Sequence, residues 1–144
     1  MIKQKEMLDI MDSYGDNITI ATLGSHSALQ ILKGARDEGF STLAICEKGR
    51  EVAYKRFRAA DDIMTLNSFK DVLNGDVIEK LRARKALIVP HGSLLAYVGI
   101  QGIEEELVLP MVGNRSILRW EADRNLERQW LEKGRIRMPR EAKN

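Results

Sequence analysis

Short β-branched runs alternate along the chain with stretches whose apolar residues recur at helical spacing. Met1–Ser13 places Ile2, Met7, Leu8 and Met11 roughly on one side, which predicts a short amphipathic helix broken near Gly15. Ile18–Leu23 (ITIATL) reads as a buried strand, and Gly24-Ser25-His26-Ser27 turns the chain into a helix over Ala28–Glu38, with Gly39 as its stop. Thr42–Cys46 (TLAIC) is a second strand, and Glu47–Phe57 reads as a polar, basic connection. Asp62–Leu66 is a third strand with Asn67 or Ser68 after it as a helix cap, and Asp76–Arg84 is helical in pattern. Ala86–Pro90 (ALIVP) is the fourth strand; a short helix over Leu94–Gly99, a fifth strand over Glu106–Met111 and a charged helix over Glu121–Lys133 complete the series.

Strands alternating with helices imply right-handed βαβ units and a parallel sheet. The near-continuous apolar strands favour an open, doubly wound α/β domain over a mixed α+β arrangement. With strand order 3-2-1-4, strands one and four flank the crevice where ligands bind in such sheets, beyond the carboxyl ends of the strands.

Composition narrows the function. The chain has 144 residues, room for one ordinary domain and little more. The net charge of +2 lacks the one-sided basic excess of a dedicated nucleic-acid binder. No apolar run approaches the ~20 residues of a spanning helix, so no membrane partner is expected. The single Cys46 excludes an internal disulfide and fits a reducing compartment, and two histidines with one cysteine cannot alone complete a four-ligand zinc site. Neither G-x-G-x-x-G nor G-x-x-x-x-G-K-[ST] occurs, which disfavours a nicotinamide or P-loop nucleotide site.

Both histidines fall at the lips of the expected crevice: His26 after strand one, His91 after strand four. Gly24 permits a tight turn and close backbone approach, while Ser25, His26 and Ser27 lead into a helix whose free N–H groups attract anions. A phosphate monoester suits such a place. The plainer alternative makes Ser25 or Ser27 only an N-cap and His26 a surface residue. Lys48 and Arg50 come after strand two on the same sheet edge and can reach a phosphate or carboxylate, or are simply solvated charge. His91-Gly92-Ser93 leads into the next helix, where Ser93 can cap the helix or face a ligand across from His26. A Ser–His nucleophile pair would lack a G-x-S-x-G elbow, and a two-histidine metal site would need carboxylates the sequence does not locate. No catalytic and no metal-ligating residue is assigned.

The long motifs ATLGSHSALQILKGA, KGR-x-V-x-YKRF, VPHGS and GNR-x-ILRWE, in unbroken order, resemble the archaeal formate-dependent ligases of purine synthesis, the 5-formaminoimidazole-4-carboxamide ribonucleotide synthetases. The resemblance implies an ATP-grasp enzyme that joins formate to the 5-amino group of aminoimidazole carboxamide ribonucleotide (AICAR), with ATP cleaved to ADP and phosphate through formyl phosphate. It implies a Rossmann-like pre-ATP-grasp domain, placed here at 1–119, with 120–144 as a helix and the start of a connection to an ATP-grasp module. The family histidine and serine that contact the ribonucleotide match His26 and Ser93; Gly24, Ser25, Ser27, Lys48, Arg50, His91, Gly92 and Arg115 are added as candidate substrate contacts. Family chains are more than twice this length, and ATP and Mg2+ belong to the part beyond Asn144, so no cofactor is expected in this chain alone. The expectations are then a cytoplasmic substrate-binding portion that takes AICAR and formate without catalysing the ligation by itself, with self-association left open. The alternative is a standalone ligand-binding or protein-interaction module of the same fold.

Overall fold

The computed structural model describes residues 1–140 and separates into two compact units, Met1–Gly113 and a second that starts at Asn114. The first contains α1 (Gln4–Tyr14), β1 (Thr19–Leu23), α2 (Ala28–Asp37), β2 (Ser41–Glu47), α3 (Glu51–Phe57), β3 (Asp62–Leu66), α4 (Gly75–Ala83), β4 (Ala86–Ile88) and α5 (Gly92–Val98). The four strands form one parallel sheet in the order β3-β2-β1-β4. The doubly wound α/β reading and the adjacency of strands one and four therefore stand.

The sheet's centre is β2, where Leu43, Ala44, Ile45 and Cys46 are all fully buried. Side chains alternate along a strand, so Ala44 and Cys46 share one face and Leu43 and Ile45 the other. Ala44 and Cys46 pack with Ala28 and Leu32 of α2 and Tyr54 of α3. Small residues on that strand face let α2 lie close to the sheet, and each large apolar side chain such as Leu32 stabilises by roughly 1.5–3 kcal/mol when removed from water.

Three segments depart from the sequence expectation. Glu47–Phe57 is not an irregular connection: α3 occupies Glu51–Phe57, started by the Glu51 carboxylate accepting from Gly49 N–H at 2.6 Å and held by the single buried Tyr54. Glu106–Met111 is not a strand. Gly102–Glu106 is one π-helical turn, seated where Gly102 comes so close to Leu73 that a Cβ would stand 2.7 Å from its Cδ1. Beyond it the ladder shrinks to one parallel bridge, Ile88 to Met111, in which Ile88 N–H donates to Pro110 O and Val112 N–H to Ile88 O. Pro110 has no N–H to extend a ladder.

In the second unit, the expected helix over Glu121–Lys133 is two, α6 (Leu118–Ala122) and α7 (Arg124–Lys133). Asp123 has non-helical backbone angles, and its carboxylate accepts from Asn125 and Leu126 N–H, so a new helix starts there. Elsewhere Ser68 takes the cap role in a reciprocal capping box with Asp71, opening a 3-10 turn over Phe69–Leu73.

Candidate functional site

At the carboxyl end of β1 the chain turns at Gly24, whose N–H donates to Ile45 O at 2.6 Å. A Cβ on Gly24 would lie 2.6 Å from Cys46 Sγ and 3.1 Å from Tyr54 Cε2. The glycine is thus required by packing against β2 and α3. The next residue, Ser25, is fixed from two sides: Tyr54 Oη donates to its carbonyl at 2.8 Å, and its hydroxyl meets the Ser93 hydroxyl at 2.6 Å. Burial pushes the Tyr54 hydroxyl up to about 12, so it stays protonated and keeps donating. Burial likewise pushes the Cys46 thiol up to about 11, with Glu51 adding to the rise, which leaves a neutral thiol rather than a nucleophile.

From the β4 side, Thr22 Oγ1 donates to Val89 O at 2.9 Å and aligns the strand end. His91 then reaches back to β1. Its Nδ1 accepts from Ser93 N–H at 3.3 Å, so Nε2 carries the ring proton and donates to Leu23 O at 3.0 Å. This ring is a strut between the two strand ends, with both nitrogens engaged. Ser93, on the first turn of α5, is 7% exposed, and its hydroxyl is aimed at Ser25.

The remaining candidates are more scattered. His26 is exposed, and its ring makes no hydrogen bond or ion pair among the described residues. Ser27 is the N-cap of α2 without a side-chain cap bond. Gly92, the first residue of α5, is exposed. Lys48 is exposed on the turn after β2. Arg50 is held within that edge: its Nε lies 3.3 Å from a Glu47 carboxylate oxygen, and its guanidinium stands 5.3 Å from the Phe69 ring centre and 5.4 Å from that of Tyr97. Arg115 belongs to the second unit, where it opens a 3-10 turn over Arg115–Ile117.

The structure thus joins Ser25, Ser93 and His91 directly. It adds three aromatic residues absent from the sequence reading: Tyr54, Tyr97 and Phe69. Of these only Tyr54 lies in a motif quoted above, KGR-x-V-x-YKRF, and its neighbour Phe57 looks equally apolar there.

A hydroxyl pair has two protons and one shared hydrogen bond. Whichever serine donates, the other's proton is left to point at an acceptor, such as a phosphate or hydroxyl oxygen. Among the described residues, no group of three or more His, Cys, Asp or Glu forms a metal-binding cluster.

The chain is similar to known proteins over most of its length. A family model described as a protein of unknown function (DUF1246) matches residues 20–142. The chain is 52% identical over 140 residues to the 5-formaminoimidazole-4-carboxamide-1-(beta)-D-ribofuranosyl 5'-monophosphate synthetase of Methanosphaera stadtmanae, covering 96% of this chain and 39% of that protein. It is 50% identical over 141 residues to the synthetase of the same name from Methanocaldococcus jannaschii, again covering 39% of it. The crystal structure of an IMP biosynthesis protein PurP from Thermococcus kodakaraensis superposes with a TM-score of 0.68 at 35% identity, over 86% of this chain and 41% of that one. The biotin carboxylase domain of a thermophilic 2-oxoglutarate carboxylase shares the fold alone, with a TM-score of 0.59 at 13% identity. The chain belongs to the DUF1246 family, and it spans 39% of the length of the two synthetases it matches.

Proposed function

We propose that this chain is the ribonucleotide-binding portion of a ligase that formylates AICAR with formate and ATP, giving the formamido product, ADP and phosphate. The observation that carries the reading is the Ser25–Ser93 hydroxyl pair, 2.6 Å apart at the mouth between β1 and β4. It offers one hydroxyl proton to a ligand acceptor, next in sequence to the exposed His26 and to the amino end of α2. A sugar phosphate suits this combination: hydroxyl donors, an imidazole and the positive end of a ten-residue helix all favour an anionic, oxygen-rich group.

In this reading the chain binds and orients the ribonucleotide, with His26 and Ser93 as contacts and His91 as the strut that holds Ser93 in place. ATP and Mg2+ are co-reactants of the longer enzyme, and the protein works in the cytoplasm. Formate activation belongs to the part of the relatives that this chain does not span.

Titration calorimetry with AICAR tests the reading. The folded chain is expected to bind the nucleotide without hydrolysing ATP, and His26→Ala and Ser93→Ala are each expected to weaken binding about tenfold, the worth of one to two hydrogen bonds. A folded chain that takes up no AICAR at millimolar concentration overturns it.

A further inference from the structure

The short helix α5 does not lie beside the sheet edge; it crosses it. Its first turn touches the loop after β1, through Ser93 and Ser25. One turn further on, Tyr97 reaches the loop after β2, where Arg50 Nη2 donates to its hydroxyl at 3.5 Å. The same ring packs on Phe69, beyond β3, with ring centres 4.9 Å apart. Ser93 and Tyr97 are four residues apart and share a helix face. What holds one end of α5 therefore sets the other.

Arg50 is the centre of that far end. Its guanidinium stands near two aromatic rings at once and donates to the Tyr97 hydroxyl and toward Glu47. Glu47 in turn accepts from Phe69 N–H at 3.3 Å through its other oxygen. One cation thus gathers the ends of β2 and β3 and the last turn of α5. Its donors face Tyr97 and Glu47 while two ring centres lie 5.3 and 5.4 Å from its central carbon, a combination that a forked guanidinium serves better than an ammonium.

We propose that Arg50 is a positioning residue: it clasps α5 across the carboxyl ends of the strands and so fixes the Ser93 hydroxyl against Ser25, without itself touching the ligand. This inference rests on the ribonucleotide-binding reading for its functional readout, but the clasp is also measurable in the free protein.

The test pairs AICAR calorimetry with amide hydrogen exchange of the ligand-free chain, for the parent, Arg50→Ala, Arg50→Lys and Tyr97→Phe. Arg50→Ala is expected to speed exchange at Ser93 and Leu94 and to weaken AICAR binding by about three- to tenfold, the range of a partly exposed cation–π contact plus one hydrogen bond. Arg50→Lys keeps the charge and is expected to recover only part of both effects. Tyr97→Phe keeps the ring and is expected to show the smaller change. Weakened binding with unchanged exchange at Ser93 and Leu94 would mean that Arg50 touches the ligand, and overturns the positioning role. Unchanged binding and unchanged exchange overturn it as well. If the parent binds no AICAR while Arg50→Ala still speeds exchange, the ribonucleotide reading fails and the clasp stands.

Discussion

Replacing Gly24 by alanine adds one methyl group where the chain already lies against β2 and α3. That Cβ would sit 2.6 Å from Cys46 Sγ, 3.1 Å from Tyr54 Cε2 and 3.3 Å from Ile45 O. Optimal nonbonded separation is about 3.5–4.0 Å, so the first contact is short by about 1 Å. The first and last of these neighbours do not yield cheaply. Cys46 is fully buried, and Ile45 O belongs to the central strand and accepts from Gly24 N–H itself. Overpacking of this kind costs about 1–3 kcal/mol, and taking about 2 kcal/mol in a chain of this size lowers the melting temperature by roughly 4–8 °C. Thermal and urea unfolding read the loss. A double-mutant cycle identifies its source: Cys46→Ala removes the sulfur that the new methyl strikes, so the pair Gly24→Ala/Cys46→Ala should fall short of additivity by about 1–2 kcal/mol. A Gly24→Ala protein that melts with the parent, or a double variant whose losses simply add, would refute the packing argument.

Three further outcomes rest on the same geometry. Tyr14 has a buried hydroxyl without a hydrogen-bond partner among the described residues, and Lys85 Nζ bonds only its backbone carbonyl, so Tyr14→Phe should be neutral or stabilising by up to about 1 kcal/mol in urea unfolding; a clear loss would show that the hydroxyl is satisfied. Deleting the His91 ring leaves Leu23 O with Ser25 N–H as its remaining donor and takes the acceptor from Ser93 N–H, so His91→Ala should cost about 1–3 kcal/mol and speed exchange at Ser93, and an unchanged Ser93 would remove the strut. Cys46 and Tyr54 both hold their protons more tightly in the fold, at about 11 and about 12 against ordinary values of 9.0 and 10.0. Their stabilisation is full below pH 9 and is lost as pH rises through 11 and 12, so unfolding midpoints should drop across that window and drop less in Cys46→Ala; a flat alkaline profile would contradict the burial of both groups.

Much of the architecture is legible in the amino-acid pattern, for a physical reason. Strands buried on both faces are continuous apolar runs, as in β2, where Thr42 to Cys46 are all buried, and the edge strand β3 also coincides with the expected Asp62–Leu66. The 3-2-1-4 order agrees with right-handed crossovers and needs no side-chain detail. The two histidines show where pattern stops. They look equivalent in sequence, yet one is an exposed ring and the other spans two strand ends. The difference lies in a backbone oxygen, Leu23 O, that no sequence pattern displays. Helix α3 is hidden because one buried residue, Tyr54, anchors it while Val52 and Phe57 face solvent. The false fifth strand arises because Leu107 and Leu109 alternate as a strand would, while the close approach of Gly102 to Leu73 commits the preceding turn to another geometry. Tyr97 and Phe69 join the edge only through a crossing helix, and that contact is invisible until the sheet order is known.

The strut between His91 and Leu23 also has a kinetic side. It joins residues 68 apart, whereas β1 and β2 pair across a far shorter stretch, as Ile20 with Thr42. Chain closure costs more as the loop lengthens, so β1, β2 and β3 are free to assemble before β4 arrives. A chain stalled at that stage has most of its sheet and none of its serine pair. On the proposed ribonucleotide reading, nucleotide capture during refolding counts only molecules in which the fourth strand has docked, and it should lag behind the recovery of secondary structure.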